Sequence, residues 1–169
     1  DEVDKLRRAS KISARAHVEA MQRTCPGMYE YQLQAILEYV FKNEGCVRPG
    51  YQSIVASGKN ALVLHYDKST KQIDRGDLVL VDAGGEYEYF TADITRTYPA
   101  SGRFSDKQGD LYKMVLEVQK EAIKMIKPGA TLPMIHHFVV RELTKGLMAL
   151  KVLEDAQDYR KYYPHGTGH

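Results

Sequence analysis

Asp82 and Asp93 stand eleven positions apart, in the segments LVLVDAGGEY and TADITRTYP. Asp82 ends an apolar, β-branched run, Leu78 to Val81, that opens after the turn residues Asp74, Arg75, Gly76 and Asp77, so it is expected at the end of a buried strand. If the chain folds back as a hairpin centred on Tyr87 and Glu88, Asp82 falls opposite Asp93, and cross-strand partners on one face lie about 4.5–5.5 Å apart at Cβ. Two ionised carboxylates at that distance repel. Either one takes up a proton or a cation sits between them, and a hard divalent ion, or a pair of them, answers the charge. The same two residues also read as turn residues beside Gly84 and Gly85, since aspartate is common there.

The segment His165-Gly166-Thr167-Gly168-His169 adds two imidazoles four positions apart, on glycines that permit a turned or strand-like backbone. Imidazole nitrogen together with carboxylate oxygen suits manganese, cobalt, iron or zinc better than magnesium or calcium. Helices must position these groups. An apolar stripe at Leu6, Ala9, Ile12, Ala16 and Ala20 predicts a first helix over about 4–23, stopped by Pro26 and Gly27; Leu33, Ile36, Leu37 and Val40 predict a second that ends before Gly45. The pattern recurs. Ser105 and Gln108 form a capping box ahead of Leu111, Met114, Val118 and Ala122, Pro128 and Gly129 stop that helix, and Ile135, Phe138, Val139 and Leu143 mark a fourth. Superposing the two Pro-Gly pairs aligns Ile12 with Met114, Ala20 with Ala122, Leu33 with Ile135 and Leu37 with Val139. An internal repeat with halves of about 4–104 and 105–169 is therefore expected, the second incomplete.

The segments SIVASGKNALVLHY (53–66), LVLVDAGGEY (78–87), TADITRTYPASGRF (91–104) and PHGTGH (164–169) together resemble the catalytic domain of aminopeptidase P, the Xaa-Pro aminopeptidases of the pita-bread metallopeptidases. The resemblance implies an α+β pita-bread fold over 1–169, truncated on its C-terminal side. It also implies two divalent metal ions, manganese first with cobalt, zinc or iron as alternatives. Asp82, Asp93 and His169 would be ligands, and two glutamate ligands would lie beyond His169. His65 and His165 would act on the substrate side. The implied reaction is hydrolysis, by a metal-bridged water, of the bond between an N-terminal residue and a proline in second place. Prolidase, methionine aminopeptidase and a pita-bread domain that only binds are the alternatives. With three of five ligands, residues 1–169 alone are expected to be inactive, and Phe138, Val139 and Leu143 to be partly exposed. The longer parent is expected to be cytoplasmic and a homo-oligomer.

Composition is consistent with this reading. A net charge of +2, with Lys and Arg spread among Asp and Glu, gives no basic stripe for nucleic acid, and no apolar run is long enough to span a bilayer. Cys25 and Cys46 read as separate thiols. Gly84 and Gly85 lack the lysine and the helix of a phosphate loop. Tyr159 to Pro164 reads as packing and solvated residues rather than a base-stacking patch, and His17, His136 and His137 as helix-face residues.

Overall fold

The first stripe is carried by α1, Glu2–Arg23, in the computed structural model of the chain, which describes residues 1–168. Asp1 caps it by accepting a hydrogen bond from the Asp4 N–H, satisfying one of the free donors of the first turn. Ala9, Ile12, Ala16 and Ala20 are buried as the spacing requires, whereas Leu6 stays exposed. Ser13 and His17 are buried on the same face. The second helix, α2 (Glu30–Asn43), buries Leu33, Leu37 and Phe41 against α1 and the strands. Each such side chain contributes about 1.5–3 kcal/mol on leaving water.

The chain divides into two units, Asp1–Arg103 and Phe104 onward. In the first, the described residues form six short strands: β1 (Arg48–Pro49), β2 (Ile54–Ser57), β3 (Leu78–Asp82), β4 (Gly85–Tyr87), β5 (Phe90–Thr91) and β6 (Thr95–Pro99). All pairings are antiparallel, in two three-stranded sheets of order β1-β4-β5 and β2-β3-β6. Burial alternates along β3. Val79 and Val81 point into the core with Ile12, Leu33, Leu37, Phe41 and Val55, while Leu78, Leu80 and Asp82 take the other, half-buried face. The strand is therefore buried on one side only, less than its apolar run suggested.

In the second unit α3 (Asp106–Lys124) opens on the expected Ser105–Gln108 capping box, and α4 (Leu132–Ala149) on Thr131. Val118, Ala122, Ile135 and Val139 form their common core, with Met114, Phe138, Leu143 and Tyr163 against it. Val139 is thus buried, against expectation, because α3 covers it; Phe138 and Leu143 are half-buried as expected. A 3-10 turn, Ala156–Lys161, leads to the histidine-glycine segment, with the Tyr162 hydroxyl donating to the Val152 carbonyl. Cys25 is exposed, Cys46 is buried, and both are free thiols.

Candidate metal centre

Asp82 and Asp93 come together, but by a different register from the one expected. Glu88 and Tyr89, both with positive φ (49° and 71°), make the two-residue turn between β4 and β5, and Tyr87 pairs with Phe90. The turn lies one residue further along the chain, so every pairing is offset by two: Asp82 lies opposite Thr95, not Asp93. Two left-handed residues in succession match a type I′ turn, whose twist suits a hairpin. The Lys5–Glu88 ion pair at 2.9 Å ties the turn to α1.

Asp93 follows β5 and faces the neighbourhood of Gly84. A Cβ on Gly84 would sit 1.7 Å from the Ala92 carbonyl oxygen, so only glycine lets the Asp93 segment approach. The Ala83 N–H donates to the Ile94 carbonyl (3.1 Å) and the Ala92 N–H to the Gly85 carbonyl (3.4 Å), which fastens the crossing on both sides. The Gly50 N–H donates to the Gly84 carbonyl at 2.8 Å, and a Cβ on Gly50 would meet the Thr91 side chain at 2.0 Å. That contact delivers the next residue, Tyr51, to the carboxylates. Its hydroxyl lies 2.5 Å from Asp82 Oδ1 and 3.1 Å from Asp93 Oδ1. Burial, followed by the hydrogen bond and charge of Asp82 and the charge of Asp93, pushes the phenol well above its usual range, so it stays protonated.

A phenol carries one proton, and here it serves two carboxylates. Half-buried Asp82 and exposed Asp93 therefore present convergent hard oxygens that fit a divalent cation as part of its ligand set. Among the described residues no three His, Cys, Asp or Glu side chains gather closely enough to hold an ion. The third expected ligand, His169, lies outside the described residues.

Behind Asp82, α1 holds the backbone. His17, 3% exposed, donates from Nε2 to the Ala83 carbonyl at 3.0 Å, and Ser13 Oγ accepts the Gly85 N–H at 2.9 Å while donating to the Ala9 carbonyl. The carbonyl cannot donate, so His17 carries its proton on Nε2. Burial lowers its pKa, outweighing the opposing effect of the hydrogen bond it donates to the Ala83 carbonyl. His17 is a helix-face residue, as expected, but a buried one that supports the strand end.

His65 occupies an exposed turn at φ 53°, and Leu62, Val63 and Leu64 before it are exposed. His165 is exposed, with Nδ1 at 2.9 Å from the Gly166 carbonyl and its ring 5.3 Å from that of Tyr163. Thr167, between the two glycines, joins His136 Nδ1 at 3.0 Å and also contacts the Tyr163 hydroxyl, so half-buried His136 anchors this segment. His137 is exposed. Tyr51 and the support from His17 escaped the sequence reading. The only signal for Tyr51 was its place after Pro49 and Gly50, which is not a motif.

The family model of metallopeptidase family M24 matches residues 4–169. The Xaa-Pro aminopeptidase of Haemophilus influenzae is 40% identical over 177 residues, covering 100% of this chain and 41% of that protein. The chain thus spans about two fifths of the length of the curated relatives it matches. Among solved structures, a putative aminopeptidase P from Bacillus anthracis superposes with a TM-score of 0.95 at 34% identity, over 98% of this chain and 39% of the other. The zinc-substituted aminopeptidase P of Escherichia coli in complex with product gives 0.90 at 38% identity, over 97% of this chain and 38% of the other. The α+β pita-bread architecture of those proteins is the architecture of this chain. By family match and by fold, the chain belongs to metallopeptidase family M24.

Proposed function

We propose that the complete protein removes the N-terminal residue from peptides with proline in second place. The observation that carries this reading is the convergence of Asp82 and Asp93 on one hydroxyl, in a chain similar over its whole length to Xaa-Pro aminopeptidases. Two divalent ions, manganese in our reading, would be held by Asp82, Asp93 and His169 together with two glutamates outside this chain. When bound, such ions polarise a carbonyl and acidify water near neutral pH. Tyr51 orients the two carboxylates by donating its proton to them. Exposed His65 keeps its imidazole available to donate to the substrate carbonyl, while exposed His165, whose Nδ1–H is taken by the Gly166 carbonyl, offers its other ring nitrogen to the substrate. A proline in second place makes the scissile amide tertiary, without an N–H.

The intact protein is also proposed to be a cytoplasmic homo-oligomer, with peptides as partners. Among the described residues no helix is long and apolar enough to cross a membrane. The test is kinetic. With manganese present, the complete protein is offered a tripeptide with proline second, the corresponding Xaa-Pro dipeptide, and a peptide beginning methionine-alanine. The tripeptide should be cleaved best. Preference for the dipeptide would make the protein a prolidase, and preference for the third peptide a methionine aminopeptidase.

A further inference from the structure

Glu30 is the first residue of α2 and is 0% exposed, yet the candidate metal centre makes no use of it. Its Oε1 accepts from the Ser57 N–H (2.7 Å), the Ser57 hydroxyl (2.8 Å) and the Asn60 amide (3.2 Å). Its Oε2 accepts from the Tyr66 hydroxyl (2.8 Å) and the Lys71 N–H (3.0 Å). The Glu30 N–H in turn donates to the Lys71 carbonyl at 3.0 Å. A buried carboxylate is costly unless donors surround it. All of these donors come from one stretch of chain, 57–71.

That stretch is a loop with fixed roots and an exposed rim. Ser57 ends β2 and Lys71 is where the chain returns to α2, so one carboxylate clamps both ends. Inside the loop, Asn60 also donates to the Tyr66 hydroxyl at 2.9 Å, and Tyr66 is 8% exposed. Leu62, Val63, Leu64 and His65 are exposed. His65 directly precedes the clamped Tyr66 and holds a left-handed backbone, as does Ser69 (φ 47°), which non-glycine residues keep only when their surroundings impose it.

We infer that Glu30 is a positioning residue: through Tyr66, Asn60 and the loop roots it holds the strained turn that presents His65 to substrate. The inference rests on the substrate-side reading of His65. Glu30→Gln keeps the shape of the side chain but sets an amide N–H₂ against groups that can only donate, such as the backbone N–H of Ser57 or Lys71.

The experiment is a double-mutant cycle in the complete manganese enzyme, with E30Q, H65A and the pair, read as kcat, KM and manganese affinity. Tyr66→Phe, which removes only the hydroxyl that donates to Glu30 and accepts from Asn60, accompanies it, alone and paired with H65A, in case E30Q fails to fold. E30Q and Y66F should each lower kcat for the Xaa-Pro tripeptide about tenfold or more, leave manganese affinity within about twofold, and cost almost nothing further once His65 is alanine. Full cost on the H65A background, or manganese affinity falling in step with kcat, would reduce Glu30 to a general stabilising residue and overturn the inference. An H65A enzyme with unchanged kcat would instead sink the reading of His65. Hydrogen exchange supplies the arm that needs no activity: in either variant the amides of 58–70 should exchange faster while those of β3 and β6 do not. Unchanged or uniformly faster exchange would count against the clamp.

Discussion

Gly84→Ala puts the packing of the candidate metal centre to a direct test, because the offending contact is with backbone and no rotamer relieves it. The new Cβ would lie 1.7 Å from the Ala92 oxygen and 2.5 Å from its carbonyl carbon, so the Ala92–Asp93 segment must retreat by more than about 1 Å. The hydrogen bonds from Ala83 to Ile94 (3.1 Å) and from Ala92 to Gly85 (3.4 Å) flank the clash and stretch with it. Leaving both donors unmade costs about 2–6 kcal/mol, at about 1–3 kcal/mol each. Against this, alanine restricts the unfolded chain and returns up to about 1 kcal/mol. The net loss is about 3 kcal/mol, a fall of about 6–12 °C in Tm at roughly 2–4 °C per kcal/mol for a domain of 150–250 residues. Displacing Asp93 by that much should also weaken manganese binding about tenfold or more. Thermal melts of the complete protein, with and without manganese, and calorimetric titration of the ion read both effects. A variant that melts within about 2 °C of wild type and binds manganese equally well would refute the close approach of the two carboxylates.

Tyr51→Phe removes the hydroxyl shared by Asp82 and Asp93 while keeping the ring, so manganese affinity should fall about 10–100-fold in a chelator competition with little change in Tm; undiminished affinity would mean the hydroxyl does not orient the ligands. Tyr98 supplies a pH dependence. Burial raises its pKa from 10.0 to about 12, and its hydroxyl shares a hydrogen bond with Thr24 at 3.1 Å. Between those values the unfolded phenol has lost its proton and the folded one has not, so stability present below pH 10 is lost as pH rises, up to about 2–3 kcal/mol. Tyr98→Phe should flatten that alkaline slope in denaturant titrations between pH 10 and about 12, and an unchanged slope would place the loss on other groups.

The helices were legible because each is written twice, once in its 3.6-residue stripe and once in its stops. Ile12, Ala16 and Ala20 on α1, Leu33 and Leu37 on α2, and Ala122 and Ile135 on α3 and α4 are buried as their spacing requires. The groups that were not legible depend on contacts far apart in sequence. Tyr51 reaches Asp82 only because Gly50 rests against Gly84 and Thr91, and His17 becomes a support for Ala83 only once α1 lies along the strand end. No local pattern encodes either contact. Glu30 is harder still, since a glutamate in the first turn of a helix is ordinarily a solvated partner of the helix dipole, whereas here the whole loop 57–71 folds over it.

The hairpin shows why a wrong register still led to the right pair of residues. A turn at Glu88-Tyr89 has neither the glycine nor the asparagine that usually marks left-handed turns, so its position could not be read, and the pairing was displaced by two. Side chains alternate across a sheet with a period of two, and an offset of two therefore preserves the face on which each lies. Asp82 and Asp93 become diagonal neighbours on one face in place of direct partners, near enough for one hydroxyl to touch both. An offset of one would have exchanged Asp93 with buried Ala92 or half-buried Ile94 and set a carboxylate against the core that holds Val79 and Val81. The parity of the two aspartates, rather than their exact opposition, is what the chemistry requires, and that parity follows from burial: Val81 and Ala83, on either side of Asp82, are both inside, as is Ala92 beside Asp93.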